Sequence, residues 1–180
     1  MRSLLLALVL LSLAGCSQNS TLPSLVADER GAQGPSESVP LSFQVKRYPG
    51  GEPYSVASDR GSVVLLDVWA TWCEPCRDAL PLYESLAKEY GPRGLKVYAL
   101  NVDEDPRGIQ AFLDETKVSL PVLLDANAVV AEKTLYVKMM PTSFLLDRKG
   151  VVRFIHEGFA EEFLQKYQTE IELLLAERAQ

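Results

Sequence analysis

Two cysteines separated by two residues are the feature of this chain most suited to chemistry. They lie in the run Trp72-Cys73-Glu74-Pro75-Cys76, and thiols at this spacing can close a small disulfide ring. A cysteine at a helix N-terminus meets unpaired backbone N–H groups and the positive end of the helix dipole, which favour the thiolate. Because the thiolate is the nucleophile of thiol–disulfide exchange, the run predicts a redox dithiol that exchanges electrons with the cysteines of other proteins.

An alternative interpretation of the same pair is that the two cysteines supply half of the ligands of a zinc site. Zinc usually takes four Cys, His or carboxylate ligands, whereas the chain has a single His and only one further cysteine, Cys16. We therefore expect no metal.

The elements on either side of the pair would hold it in place. Val63 to Ala70 is a continuous apolar run of strand length, typical of a sheet centre covered on both faces. A helix is predicted from Pro75 to Tyr90, with a kink at Pro81. A buried strand followed directly by the cysteine pair and a helix is the arrangement that a redox dithiol needs.

The remaining patterns alternate between strand and helix. Leu41, Phe43 and Val45 alternate with polar residues and predict a first strand, and residues 54–57 follow a turn at 49–53 and could pair back as a hairpin. The later predictions are a strand at 95–102, a helix from 103–106 to 116, an extended piece at 120–124, a helix at 127–135, strands at 142–146 and 151–156, and a helix at 159–177. This order indicates an α/β fold with a mixed central sheet flanked by helices.

The N-terminus has the pattern of an export signal. Arg2 precedes an apolar stretch at 4–13 and the small residues Ala14 and Gly15. The stretch is too short for a membrane span, which needs about 20 residues. Leu13-Ala14-Gly15-Cys16 resembles the lipobox of bacterial lipoproteins, in which the cysteine receives a diacylglyceryl group and becomes the new N-terminus. An ordinary signal peptide with a chance cysteine is the alternative.

The lipobox resemblance divides the chain into three parts. Residues 1–15 are predicted to be the signal peptide, residues 16–38 a lipidated flexible tether rich in Ser, Gln, Gly and Pro, and residues 39–180 the folded domain. The protein would then be anchored to a membrane in the bacterial cell envelope, facing the periplasm or the cell exterior. With Cys16 assigned to the anchor, Cys73 and Cys76 remain as a lone pair. In an oxidising compartment such a pair is more typical of catalysis than of a structural disulfide framework.

The charge of the chain argues against nucleic acid as a partner. The formal net charge is −6, and it becomes −7 after removal of residues 1–15, which carry one Arg and no acid. An acidic chain without a basic cluster is poorly suited to bind phosphate backbones.

Two motifs together resemble the thioredoxin fold. The stretch from Asp67 to Cys76 is similar to the active-site strand and loop of thioredoxin, and Met139-Met140-Pro141-Thr142 is similar to its cis-proline loop. With the helix-bearing insertion Pro106–Leu135, the N-terminal hairpin and the lipobox, the chain resembles the TlpA-like, membrane-tethered thiol–disulfide oxidoreductases. Several members of that family serve cytochrome c maturation, and the resemblance covers about residues 39–178.

The resemblance implies a role for each thiol and for one acid. Cys73 would be the accessible attacking thiol, and Cys76 the resolving thiol that breaks the mixed disulfide. Asp67 interrupts an apolar run, and it would move protons for Cys76. The alternative for Asp67 is an acid near the strand end that reaches water. Members that serve cytochrome maturation often carry a Glu where this chain has Ala79, a departure that leaves Asp67 as the acid–base residue.

Five further residues are implied to contact the substrate. Pro141 is predicted to be cis, so that the Met140 backbone faces the dithiol and pairs with an extended substrate chain. Trp72 is predicted to be an exposed contact surface for partner proteins. Glu74 and Pro75 lie between the thiols. The negative charge of Glu74 would favour a more reducing cysteine pair; the alternative is that Glu74 is a solvated surface acid. Two other residues are assigned to structure rather than chemistry, Trp69 to the core and His156 to a structural or surface position.

The function expected from these residues is that of an extracytoplasmic disulfide reductase of proteins, such as an oxidised apocytochrome c. A membrane thiol–electron donor would restore the dithiol, since no NADPH-site motif is present. We expect a monomer without a cofactor. The same residues would also serve a disulfide oxidase or isomerase, and a lipid-anchored binding module with the cysteines as a structural clip is a third hypothesis. A peroxidase is disfavoured because the arrangement Pro-x-x-x-Thr-x-x-Cys is missing.

Overall fold

The computed structural model describes residues 39–160 and 162–177. The predicted signal peptide, the lipid attachment at Cys16 and the tether at 16–38 lie outside these residues. The strands are β1 (Gln44–Tyr48), β2 (Pro53–Ser55), β3 (Val63–Trp69), β4 (Leu95–Asn101), β5 (Val122–Leu124), β6 (Thr142–Leu146) and β7 (Val152–Glu157). The helices are α1 (Cys76–Tyr90), α2 (Ile109–Thr116), α3 (Val129–Lys133) and α4 (Phe163–Ala176).

All seven strands of the described residues form one mixed sheet in the order β2-β1-β5-β4-β3-β6-β7. The central strand β3 pairs in parallel with β4 and antiparallel with β6, and β5 pairs in parallel with β4 and antiparallel with β1. The extended piece predicted at 120–124 is therefore a strand of the sheet, and it joins the N-terminal hairpin of β1 and β2 to the rest. The thioredoxin-like α/β fold with its mixed sheet is confirmed.

The continuous apolar run in β3 is explained by packing on both faces. All seven of its residues are buried. Leu65 and Trp69 face a cluster that includes α1, α2 and α4, whereas Val64 and Leu66 face a second cluster that includes α3 and the segment before β1. Because side chains alternate between the faces of a strand, odd-numbered residues of β3 lie on the side of α1, and Asp67 is one of them.

The first strand lies three residues later than predicted. Leu41 and Phe43 are buried as their alternation indicated, but they precede β1, and the Leu41 N–H donates to the Gly150 carbonyl at 2.8 Å. The strand itself runs to Tyr48 because Lys46, Arg47 and Tyr48 pair with β5. Alternation reports which side chains are buried, and the partner strand decides where the ladder begins.

Other element boundaries differ from prediction by a few residues. The third helix begins at Val129 rather than 127, since Asn127 and Ala128 have φ angles of 67° and 55° in the left-handed region. Helix α1 continues through Pro81. Among the described residues, no helix has the length and apolar character needed to cross a bilayer.

Candidate active site

The two cysteines form a disulfide at the N-terminus of α1. Their sulfur atoms are 1.98 Å apart and their Cα atoms 5.4 Å apart, as the two-residue spacing predicted. Cys76 is the first residue of the helix, and its N–H donates to the Cys73 carbonyl at 3.1 Å. Glu74 and Pro75 form the turn between the two cysteines. Cys73 therefore lies just before the first turn of a helix of 15 residues.

The disulfide is less accessible than predicted. Cys73 is only 5% exposed and Cys76 is completely buried, because both side chains pack in the core cluster on the α1 side of the sheet together with Trp69 and Ala70. The residues on either side of Cys73 are exposed instead: Trp72 is 69% exposed, and Glu74 is exposed as well. A partner would therefore meet the Trp72 side chain before the sulfur of Cys73.

Asp67 is a buried carboxyl on the same side of the sheet as the dithiol. It is completely buried, and neither carboxyl oxygen has a hydrogen-bond partner of normal geometry within the described residues. Burial raises the pKa of Asp67 well above its usual value, and the Tyr83 hydroxyl counteracts this only in part. The alternative that this acid reaches water is wrong, whereas its role in proton transfer remains a prediction.

Asp103, an acidic residue that sequence analysis did not assign to the site, holds the loop before Cys73 in place by hydrogen bonds. The Asp103 Oδ2 atom accepts from the Thr71 N–H at 3.0 Å and from the Asn101 side-chain amide at 2.8 Å. These bonds join the residue two positions before Cys73 to the end of β4. The only local signal would have been an acid just after a strand that neighbours β3 in the sheet.

The charge of Glu74 is partly balanced by Arg77. The Glu74 side chain is 89% exposed and lies 3.5 Å from the Arg77 guanidinium. Arg77 also bonds Glu115 of α2 at 2.8 Å, and its guanidinium carbon lies 4.8 Å from the centre of the Phe112 ring. Arg77 thus joins the turn between the cysteines to α2, a link that sequence analysis missed because its partners are distant in the chain.

The loop predicted to contain a cis proline does contain one. The Met140–Pro141 peptide bond is cis, and so is Tyr48–Pro49, which was not predicted. The Thr142 hydroxyl donates to the Met139 carbonyl at 2.7 Å. The side chains that precede this proline line a pocket near Trp72.

This pocket has a volume of about 250 Å³ and a mainly apolar lining. Trp72, Met139 and Met140 form one part of its wall, and Ala131 and Glu132 of α3 form another. Trp72 and Met139, which is 51% exposed, also present apolar surface to solvent. Predicted contact residues from two distant segments are thus brought together, and α3 from the insertion completes the groove.

His156 lies apart from the dithiol, in the edge strand β7. Its Nε2 atom is 2.6 Å from the Glu170 carboxylate of α4, and burial lowers the pKa of His156. The side chain is only 3% exposed, so the interpretation of His156 as structural is consistent with its position.

Comparison with known proteins agrees with the arrangement of these residues. The sequence profile of the AhpC/TSA family matches residues 36–155, which is about two thirds of the chain. The chain belongs to the AhpC/TSA family. Thioredoxin-like protein YneN of Bacillus subtilis (strain 168) is 39% identical over 111 residues, covering 60% of this chain and 64% of YneN. This chain therefore spans slightly less than two thirds of the length of YneN.

Other similar proteins carry names that describe dithiol chemistry. Thiol-disulfide oxidoreductase ResA of Bacillus thuringiensis subsp. konkukian is 31% identical over 122 residues, covering 67% of this chain and 70% of ResA. A structure from Chlorobium tepidum, provisionally named thiol:disulfide interchange protein DsbE, has a TM-score of 0.70 at 30% identity and covers 81% of this chain and 99% of its own. The chain is thus a thioredoxin-fold member of this family with ResA-like and DsbE-like relatives.

Proposed function

We propose that the protein is an extracytoplasmic, lipid-anchored thiol–disulfide oxidoreductase that reduces disulfides in other proteins. The observation that carries the proposal is the Cys73–Cys76 disulfide at the N-terminus of α1. A helix N-terminus stabilises a thiolate, which a structural clip would not need. The names of the ResA and DsbE relatives support the same chemistry.

In the first step, the Cys73 thiolate attacks one sulfur of a substrate disulfide. A mixed disulfide forms between Cys73 and the substrate, and the second substrate sulfur leaves as a thiolate that takes a proton from water. In the next step, Cys76 gives its proton to the Asp67 carboxylate and attacks the sulfur of Cys73. The internal disulfide forms, the remaining substrate thiolate leaves and takes a proton, and two electrons have passed to the substrate.

The groove lined by Trp72, Met139 and Met140 supports an extended peptide as the substrate. Trp72 and Met139 offer exposed apolar surface at the 250 Å³ pocket, and the backbone at Met140 would pair with the substrate chain. An oxidised apocytochrome c is the substrate class that the resemblance to TlpA-like proteins implies. A membrane thiol–electron donor would then reduce the Cys73–Cys76 disulfide again, and no further cofactor is needed.

Trapping tests the proposal most directly. In a Cys76→Ser variant the resolving thiol is absent, so a mixed disulfide between Cys73 and its substrate should persist and identify the substrate. The double variant Cys73→Ser/Cys76→Ser is the matched control and should trap nothing. Equal binding of partners by wild type and Cys73→Ser, without any insulin reduction by the wild type, would instead support a non-catalytic binding module.

The reduction potential decides the direction of electron flow. Equilibration with glutathione or dithiothreitol should give a value near that of thioredoxin, about −270 mV, for a reductase. A value near about −120 mV would show an oxidase and would contradict the proposed direction. Rapid peroxide consumption that depends on Cys73 would support a peroxidase in its place.

A further inference from the structure

Arg77, the residue that follows Cys76, is held between the turn that carries the disulfide and helix α2. Its Nε atom lies 3.5 Å from the Glu74 carboxylate, and its Nη1 atom lies 2.8 Å from the Glu115 carboxylate. The guanidinium carbon is 4.8 Å from the centre of the Phe112 ring. Among the described residues, Glu74 and Glu115 are the ion-pair partners of Arg77. A planar guanidinium with partners on several sides has a defined position.

The position of this guanidinium is tied to the dithiol through the core. The Phe112 ring centre lies 4.7 Å from that of Trp69, and Trp69 packs in the same buried cluster as Cys73 and Cys76. Arg77 is also the next residue after Cys76, so their Cα atoms are about 3.8 Å apart. A fixed positive charge therefore lies at the edge of the active site.

Reduction of the disulfide creates negative charge at this site. Two electrons and one proton convert the neutral disulfide into the Cys73 thiolate and the Cys76 thiol. A nearby positive charge favours the charged form of a group, and a nearby negative charge disfavours it. The charge of Arg77 should therefore stabilise the reduced protein and that of Glu74 should destabilise it, whereas the disulfide carries no net charge with which either could interact.

We propose that Arg77 is a positioning residue that tunes the dithiol: its charge stabilises the Cys73 thiolate and shifts the Cys73–Cys76 pair toward the reduced form. The inference rests on the proposed function, which makes Cys73 the attacking thiolate. It also gives α2 a part in the redox chemistry, because the contacts with Phe112 and Glu115 hold the guanidinium in place.

A purely structural role for Arg77 predicts a different result. Arg77 joins α1 to α2, and exposed ion pairs of this kind contribute little to stability. Substitution of either Glu74 or Arg77 breaks the same 3.5 Å pair, so a structural effect on the dithiol would have the same sign for both substitutions. An effect of charge has opposite signs, because the two side chains carry opposite charges.

The experiment measures the equilibrium constant for reduction of the disulfide by glutathione in the full-length protein at neutral pH. We expect Arg77→Gln to lower this constant about threefold, the size of a screened interaction between unit charges near a protein surface. The same change lowers the reduction potential by about 14 mV. Glu74→Gln should raise the constant by a similar factor. Arg77→Lys keeps the charge and should stay within about twofold of the wild type.

Arg93 provides the matched control beyond the far end of α1. It also pairs with a glutamate, Glu172, at 2.5 Å, and it lies over an aromatic ring, that of Tyr90, at 5.3 Å. A helix of 15 residues spans about 22 Å, which exceeds two Debye lengths at physiological ionic strength, so Arg93→Gln should leave the constant unchanged. The other charged groups around the dithiol are the same in every variant and include Asp67, Asp78, Asp103, Glu104 and Lys138.

The pH dependence of thiol alkylation provides the second readout. In the reduced protein, mass spectrometry of the peptide that contains Cys73 should show a midpoint about half a pH unit higher in Arg77→Gln, which is the same free energy as the threefold change. An unchanged constant and midpoint in Arg77→Gln, or shifts of the same sign in Arg77→Gln and Glu74→Gln, would overturn the inference. A wild-type potential in the range of an oxidase would contradict the proposed direction of electron flow, whereas opposite shifts in the two variants would still support the role of Arg77.

Discussion

At the scale of single residues, Asp67 should make the stability of the oxidised protein depend on pH. Its pKa is raised in the folded protein by burial, so the folded state holds a proton that the unfolded chain releases near the ordinary value of 3.8. Between that value and the folded pKa, the folded state binds more protons than the unfolded state. Stability therefore falls as the pH rises through this window, and the destabilisation is absent below the unfolded pKa.

An Asp67→Asn variant should remove this dependence. We expect the free energy of unfolding of the wild type to fall relative to that of Asp67→Asn by about 1.4 kcal/mol per pH unit within the window. Urea unfolding of both oxidised proteins at half-unit steps from pH 4 to 8 measures the difference, and other titrating groups cancel because they are common to both. A difference that stays constant across this range would show that Asp67 does not have a raised pKa.

Substitutions of the two tryptophans in the active-site segment should have different effects, one on substrate binding and the other on stability. Trp72 is 69% exposed and Trp69 is 0% exposed, with its ring centre 4.7 Å from that of Phe112. Trp72→Ala should change the free energy of unfolding by no more than about 0.5 kcal/mol but lower insulin-reduction activity by about tenfold, as loss of an aromatic contact residue does. Trp69→Ala should instead cost about 3–5 kcal/mol of stability. Full activity of a folded Trp72→Ala protein would exclude Trp72 as a substrate contact.

At the scale of elements, Asp103 joins the active-site loop to β4. An Asp103→Ala variant leaves the Thr71 N–H and the Asn101 amide without their acceptor, so we expect a loss of about 2–3 kcal/mol in the free energy of unfolding. Insulin-reduction activity should fall as well, because the residues just before Cys73 lose their attachment. Denaturant unfolding and the insulin assay measure the two effects.

The matched control for Asp103 lies two residues further along the chain. Asp105 is an exposed acid that bonds Arg107, another exposed residue, whereas the Thr71 N–H donates to Asp103. Asp105→Ala should therefore lose less stability than Asp103→Ala and retain insulin-reduction activity. Equal effects of the two substitutions would indicate that general charge, rather than the bonds to Thr71 and Asn101, matters at this position.

Local sequence patterns predicted the elements that can be recognised without knowing which strands or helices they pack against. The apolar run at 63–70 and the cysteine spacing identified β3 and the start of α1. The register of β1 was missed because Arg47 and Tyr48 pair with Leu123 and Val122, a contact that no local pattern records. The contact between the buried hydroxyl groups of Tyr83 in α1 and Tyr167 in α4, 3.0 Å apart, was missed for the same reason, since the two residues are 84 positions apart.

At the scale of the whole molecule, the described domain supplies the chemistry and the N-terminal segment should supply its location. Cys16 lies outside the described residues, and its lipidation is predicted from Leu13-Ala14-Gly15-Cys16. Each buried CH₂ of a lipid chain contributes about 0.8 kcal/mol to membrane binding, so acyl chains at one residue can decide where the entire protein resides. The dithiol at 73 and 76 does not depend on that residue.

A Cys16→Ser variant tests this division of roles. Wild-type protein made in bacteria should incorporate labelled palmitate and sediment with membranes, whereas Cys16→Ser should take up no label and lose most of its membrane association, because no acyl chain remains to enter the bilayer. Cys76→Ser is the control, since it changes a cysteine of the folded domain and should keep the label. Purified Cys16→Ser should reduce insulin as fast as the wild type, because the dithiol and the helix N-terminus beside it are unchanged. An unlabelled wild type that remains soluble would refute the lipid anchor and leave the dithiol chemistry unaffected.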